Sequence, residues 1–140
     1  MEITLQRIDD GFNMEARDED GHSVQMDAGP AHGGKGNGVR PMQMLIMGLG
    51  GCTAIDVVMI LKKQKQDIRD FRIRIQAERE TGKEPALWQS AHLIFELSGS
   101  IDPDKARRAA ELSMQKYCSV AATLKAAGAD LTWEVKVENP

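Results

Sequence analysis

Two residues in this chain combine nucleophilic and redox chemistry: Cys52 and Cys118, its only cysteines. They lie 66 positions apart and in no CxxC motif, which argues against a thioredoxin-type couple or a zinc ribbon. In a reducing compartment such a pair is more often a redox-active or resting dithiol than a structural disulfide. The thiolate is the reactive form, so each cysteine is judged by its surroundings. Cys118 sits in Lys116-Tyr-Cys-Ser-Val120, where a helix is predicted to begin and oriented N–H groups favour a thiolate. Cys52 lies inside an apolar run, and burial there raises a thiol pKa unless a cation or donor reaches it. Arg40 and Lys35 are the nearest sequence candidates for that helper. The bland alternative is a pair of inert buried cysteines, since Cys is among the most buried residue types.

Other side chains offer less. Asp56 falls one helical turn beyond Cys52 and is expected to satisfy a neighbouring backbone or basic group. His22, His32 and His92 are dispersed with no HxxxH spacing, so neither a metal site nor a cofactor is predicted. A Cys–His couple through His32 finds no support in the spacing. Residues 29 to 38 hold five glycines and one lysine, without the lysine and Ser/Thr spacing of a Walker A loop. This stretch is read as a mobile connection from sheet to helix and a candidate lining for a site.

Bulk properties exclude whole classes. The net charge of −3 and pI near 5.6 leave no basic stripe for nucleic acid. Aromatics are too few for a base-stacking platform. The start, Met-Glu-Ile-Thr-Leu, has no charged segment followed by an apolar one, so no secretory leader is expected and the cytoplasm is the default compartment. Met44 to Leu61 is apolar for 18 residues, at the lower edge of a membrane-spanning length. Asp56 within it would be costly in lipid, so a buried core helix is expected instead. A helix apolar on all sides must be covered on all sides, which points to a second copy of the chain.

These residues must be held by a particular order of elements. Ile3 and Leu5, then Phe12, Met14 and Ala16, then Val24, Met26 and Ala28 alternate with polar neighbours. Asp9-Asp-Gly11 and Asp18-Glu-Asp-Gly21 punctuate them, as in a three-stranded meander. Pro41 opens a long helix, at the position where a missing N–H costs nothing, and the helix runs to about Lys65. Gly48, Gly50 and Gly51 inside it each cost about 1 kcal/mol against alanine, so close approach of another helix is expected beside Cys52. Strands follow at Asp70–Glu80 and Trp88–Leu97. Asp102-Pro103 caps and starts a helix, a second begins just after Cys118 and ends at Gly128, and Leu131–Val137 alternates as a closing strand. The pattern is α+β, one domain over residues 1–140, with no internal repeat.

Pro41 and the run Leu45-Ile-Met-Gly-Leu-Gly-Gly-Cys-Thr-Ala-Ile-Asp56, together with Tyr117-Cys-Ser-Val120, resemble the two cysteine motifs of the osmotically inducible protein C and organic hydroperoxide resistance family. The resemblance implies antiparallel sheets around a long central helix, in an intertwined homodimer with the central helices packed together. It implies reduction of organic hydroperoxides, with Cys52 attacking, Cys118 resolving, Arg40 as a candidate activator and a cellular dithiol restoring the pair. Peroxidase members carry a glutamate directly after the proline that opens the central helix; here Met42 and Gln43 follow Pro41. A redox-sensing dimer, or one carrying a small apolar ligand, is the alternative on the same fold.

Overall fold

A computed structural model describes all 140 residues. They form two compact units, Met1–Leu45 and Ile46–Pro140.

The first unit is a meander of β1 (Thr4–Arg7), β2 (Met14–Arg17) and β3 (Ser23–Met26), paired antiparallel in that order. Aspartates close both turns by mimicking backbone acceptors. Asp9 Oδ1 accepts from the N–H of Gly11 and Asn13 at 2.8 and 3.2 Å, and Asp18 Oδ1 accepts from Asp20 and His22 at 3.0 and 2.9 Å. The glycine-rich segment, expected to be mobile, is instead tied down. It makes a 3₁₀ turn at Pro30–His32, and the Asp27 carboxylate accepts from Ala28 and Asn37 N–H at 2.8 and 2.9 Å. A Cβ at Gly34 would stand 1.9 Å from the Ala28 carbonyl oxygen, so only glycine permits that approach.

Helix α1 (Pro41–Lys63) begins at the end of this unit and runs into the second. Pro41 takes its first turn, and Gln43 Oε1 reaches back to accept from Arg40 N–H at 2.9 Å, which satisfies one of the free N–H groups at the helix start. The second unit continues with β4 (Asp67–Arg79), β5 (Trp88–Ser100), α2 (Pro103–Leu112), a π turn (Ser113–Tyr117), α3 (Ser119–Ala126) and β6 (Asp130–Glu138). Asp102 caps α2 as expected, accepting from Asp104 N–H at 2.9 Å. The sheet order is β4-β5-β6. β4 and β5 form an antiparallel hairpin, but β5 and β6 run parallel. The helical excursion through α2 and α3 supplies the long crossover that a parallel neighbour needs.

One face of the sheet carries the core of this unit. Leu93 and Phe95 are wholly buried there, joined by Leu97, Leu131 and the small residues Ala106, Ala109, Ala110 and Ala121 of α2 and α3. Phe71 stacks on Phe95 with ring centroids 6.4 Å apart. Truncating Phe95 to alanine removes a side chain that the packed alanines cannot collapse onto. The expected loss is about 3–5 kcal/mol, read from the urea midpoint. The other face is solvated, and its basic residues are ion-paired: Arg72 and Arg74 with Glu96, and His92 with Glu134.

Within one chain, helix α1 is buried along a single stripe. Leu49, Thr53, Val57 and Leu61, spaced by four, are its buried residues. Ile55 and Met59 remain 64% and 51% exposed. The helix is long and apolar enough to cross a membrane by length and composition, yet only 22% of its apolar window is buried. A Cβ at Gly50 would meet Ile75 Cδ1 of β4 at 3.1 Å, while Gly48 and Gly51 face open space. Within one chain, a strand comes close to Gly50.

Candidate active site

Cys52 and Asp56 are four residues apart on α1, so both project from one face of that helix. Thr53 between them turns inward, its hydroxyl donating to the Leu49 and Gly50 carbonyls at 3.0 and 3.1 Å. The second half of the site comes from the end of α2, where the α-helix widens into the π turn. Such irregularities are frequent at functional sites because they re-aim side chains. Here the turn ends with Cys118 N–H donating to the Ser113 carbonyl at 2.8 Å, and Lys125 Nζ donates to the Met114 carbonyl at 2.5 Å. Ser113 and Cys118 bracket the turn, and both are buried.

These elements bring Cys52 and Cys118 together. One Sγ from each and a carboxylate oxygen of Asp56 all lie within 4.8 Å of one another. Both thiols are free. The Ser113 hydroxyl donates to Asp56 Oδ2 at 2.9 Å. Asp56 was expected to satisfy a backbone or basic group; its partner is this buried serine, on an element 57 residues away.

The two thiols differ from expectation in their environments. Cys118 is the more buried, at 3% exposure, and Cys52 is half-buried. Cys118 does cap α3, its Sγ accepting from Ala121 N–H at 3.3 Å, and the N–H groups of Ala121 and Val120 draw its pKa down. Burial, followed by the hydrogen bond with Cys52, outweighs them and pushes the Cys118 thiol up to about 11. Desolvation of the thiolate wins because two N–H donors replace only part of the water it would lose.

This shift links stability to pH. The folded state favours the neutral thiol, so the contribution is complete below the ordinary value of 9.0 and is lost as pH rises from 9.0 to about 11. The full effect is at most about 3 kcal/mol. Comparing urea midpoints of wild type and Cys118→Ala from pH 8 upward should show the wild type losing ground across that window. A difference that does not change with pH would contradict the shift.

The proposed cationic helpers have other partners within the N-terminal unit. Lys35 Nζ binds Asp10 Oδ1 at 2.6 Å, and Asp10 raises the lysine pKa through the hydrogen bond and then its charge. Arg40 Nη1 donates to the Gly38 carbonyl at 2.9 Å. Its guanidinium lies against Gly29, where a Cβ would meet Nε at 3.1 Å. Ser113 escaped the sequence reading altogether, since a lone serine near a helix end carries no signal for a contact made so far along the chain.

An apolar groove of about 460 Å³ opens between α1 and β4, lined by Ile46, Met47, Gly50, Gly51, Ala54, Phe71, Ile73 and Ile75. Cys52 lies off this lining, since successive helical residues are turned by about 100°. Two other clefts are lined largely by charged side chains of the sheet's outer face and α2.

The chain is similar to known proteins in sequence and in fold. The family model for OsmC-like protein matches residues 34–134. Protein YhfA of Escherichia coli strain K12 is 38% identical over 120 residues, covering 84% of this chain and 85% of that one. Among solved structures, a hypothetical protein from Aquifex aeolicus superposes with a TM-score of 0.79 at 28% identity, covering 98% of this chain and 96% of that chain. The organic hydroperoxide resistance protein OhrB of Bacillus subtilis shares the fold, with a TM-score of 0.67 at 18% identity over 96% of each chain. The chain therefore belongs to the OsmC-like protein family.

Proposed function

We propose that this protein is a homodimeric, thiol-dependent reductase of organic hydroperoxides. The observation that carries the reading is the meeting of Cys52 and Cys118, distant in sequence, with their sulfurs within 4.8 Å. The Cys52 sulfur attacks the outer oxygen of the hydroperoxide, the O–O bond breaks, and an alcohol leaves with the proton. Cys52 becomes a sulfenic acid, which condenses with Cys118 to a disulfide and releases water. A cellular dithiol reduces the disulfide, which suits a reducing compartment such as the cytoplasm. Cys52 is the attacking thiol because it is the more accessible of the two.

A second copy completes the site in this reading. The exposed apolar side of α1, with Ile55, Met59 and the open glycines 48 and 51, is the surface it covers. A membrane fits less well, because Leu49, Val57 and Leu61 on the opposite side are committed to the core of the C-terminal unit. Arg40 is the candidate activator. Gln43 spends its side chain on the helix cap and does not replace the family glutamate.

The missing glutamate favours a second reading, in which the same dithiol registers oxidation without turnover. Consumption of cumene hydroperoxide with dihydrolipoate as reductant separates the two. Saturable, catalytic consumption supports the reductase. One equivalent consumed, leaving a stable intramolecular disulfide, supports the sensor.

A further inference from the structure

We infer that Asp56, aimed by Ser113, is the proton carrier for disulfide formation between Cys52 and Cys118. The inference rests on the dithiol reading above and adds a residue that has no assigned role in it. Three observations support it. The Asp56 carboxylate is within 4.8 Å of both sulfurs. Its Oδ2 is fixed by the wholly buried hydroxyl of Ser113 at 2.9 Å. Ser113 is supplied by the same π turn that delivers Cys118, so carboxylate and resolving thiol are positioned as one piece.

The chemistry needs such a group. With its thiol held up to about 11, Cys118 is a thiolate in roughly one molecule in ten thousand at pH 7. Waiting for that fraction would make resolution slow. The neighbouring Asp56 carboxylate removes the difficulty if the proton moves as the bond forms. The Cys118 sulfur attacks the Cys52 sulfur and its proton passes to Asp56. The S–O bond of the sulfenic acid breaks, and Asp56 returns the proton to the departing oxygen. Water leaves, the carboxylate is regenerated, Cys118 sulfur is oxidised and Cys52 sulfur is reduced. General acid–base assistance of this kind contributes about 10²–10⁴ in rate.

A two-phase titration with 2,2′-dithiodipyridine tests this without requiring hydroperoxide chemistry. Cys52 releases the first thiopyridone and forms a mixed disulfide; Cys118 releases the second by closing the intramolecular bond. Asp56→Asn keeps an oxygen to accept the Ser113 hydrogen bond and loses the base. The first phase should stay within about threefold of wild type and the second should slow at least tenfold. Ser113→Ala, which keeps the carboxylate and loses its aim, should slow the second phase alone by a smaller factor. Unchanged second phases in both variants, or both phases slowed alike, would overturn the proton-carrier role. A slowed second phase in a protein whose wild type consumes no hydroperoxide would support the carrier and reject the peroxide substrate.

Discussion

Replacing Cys52 by serine should lower hydroperoxide turnover at least a hundredfold, whereas Cys118→Ser should retain one fast turnover and then stop. A serine hydroxyl in place of the thiol cannot form a sulfenic acid, so no later step rescues Cys52→Ser. Cys118 cannot stand in as the attacking group: it is 3% exposed and its thiol is pushed up to about 11. In Cys118→Ser the first oxidation proceeds, and the sulfenic acid then has no partner within the chain. Excess peroxide carries it to sulfinic acid, which is irreversible without a dedicated repair system. The expected time course is a stoichiometric burst followed by inactivation, followed by peroxide loss and by mass spectrometry of the Cys52 peptide. Equal, slow consumption by wild type and both variants would remove the reductase reading.

The second large effect concerns the uncovered side of α1. Ile55→Asp places a charge where Ile55 and Met59 form an apolar strip one turn apart, 64% and 51% exposed in a single chain. In an isolated chain this side faces water, and a surface substitution there costs about 0.5 kcal/mol or less. In a dimer closed over α1, an unpaired carboxylate would be buried, at a cost of several kcal/mol. Each 1.4 kcal/mol is about tenfold in affinity, so dimer dissociation should strengthen at least a hundredfold. Sedimentation velocity across a dilution series reads this directly. A variant that sediments as the wild type does would place the partner surface elsewhere. Because a second copy completes the proposed site, a monomeric variant should also lose peroxide turnover while keeping its helical circular dichroism.

How much of this was legible in the sequence depends on the range of the interaction. Period-two alternation and Asp/Gly punctuation located the meander, and Asp102-Pro103 located the start of α2, because those signals act within a few residues. The two cysteine motifs pointed to the fold and to the meeting of the thiols. Which thiol is the more buried was not legible. The helix start at Cys118 suggested a favoured thiolate, and only the packing of α2, α3 and the sheet shows desolvation prevailing. The parallel pairing of β5 with β6 was hidden for the same reason, since alternation gives a strand's faces and not its direction. The π turn was also unreadable: Ser113 to Tyr117 continues the helical pattern, and its widening is known from the hydrogen bond between Cys118 and Ser113. That turn is what carries Ser113 to Asp56. The apolar character of α1 was plain; within one chain it is buried along the stripe Leu49, Thr53, Val57 and Leu61, and cover of the rest by a second copy is what Ile55→Asp tests.

The proximity of the two sulfurs is most directly tested by mass spectrometry after one equivalent of cumene hydroperoxide is added to the fully reduced protein. The expected product has lost two hydrogens, resists alkylation at both cysteines and yields a peptide pair joined through Cys52 and Cys118. Oxygen added at Cys52, with Cys118 still open to alkylation, would contradict it.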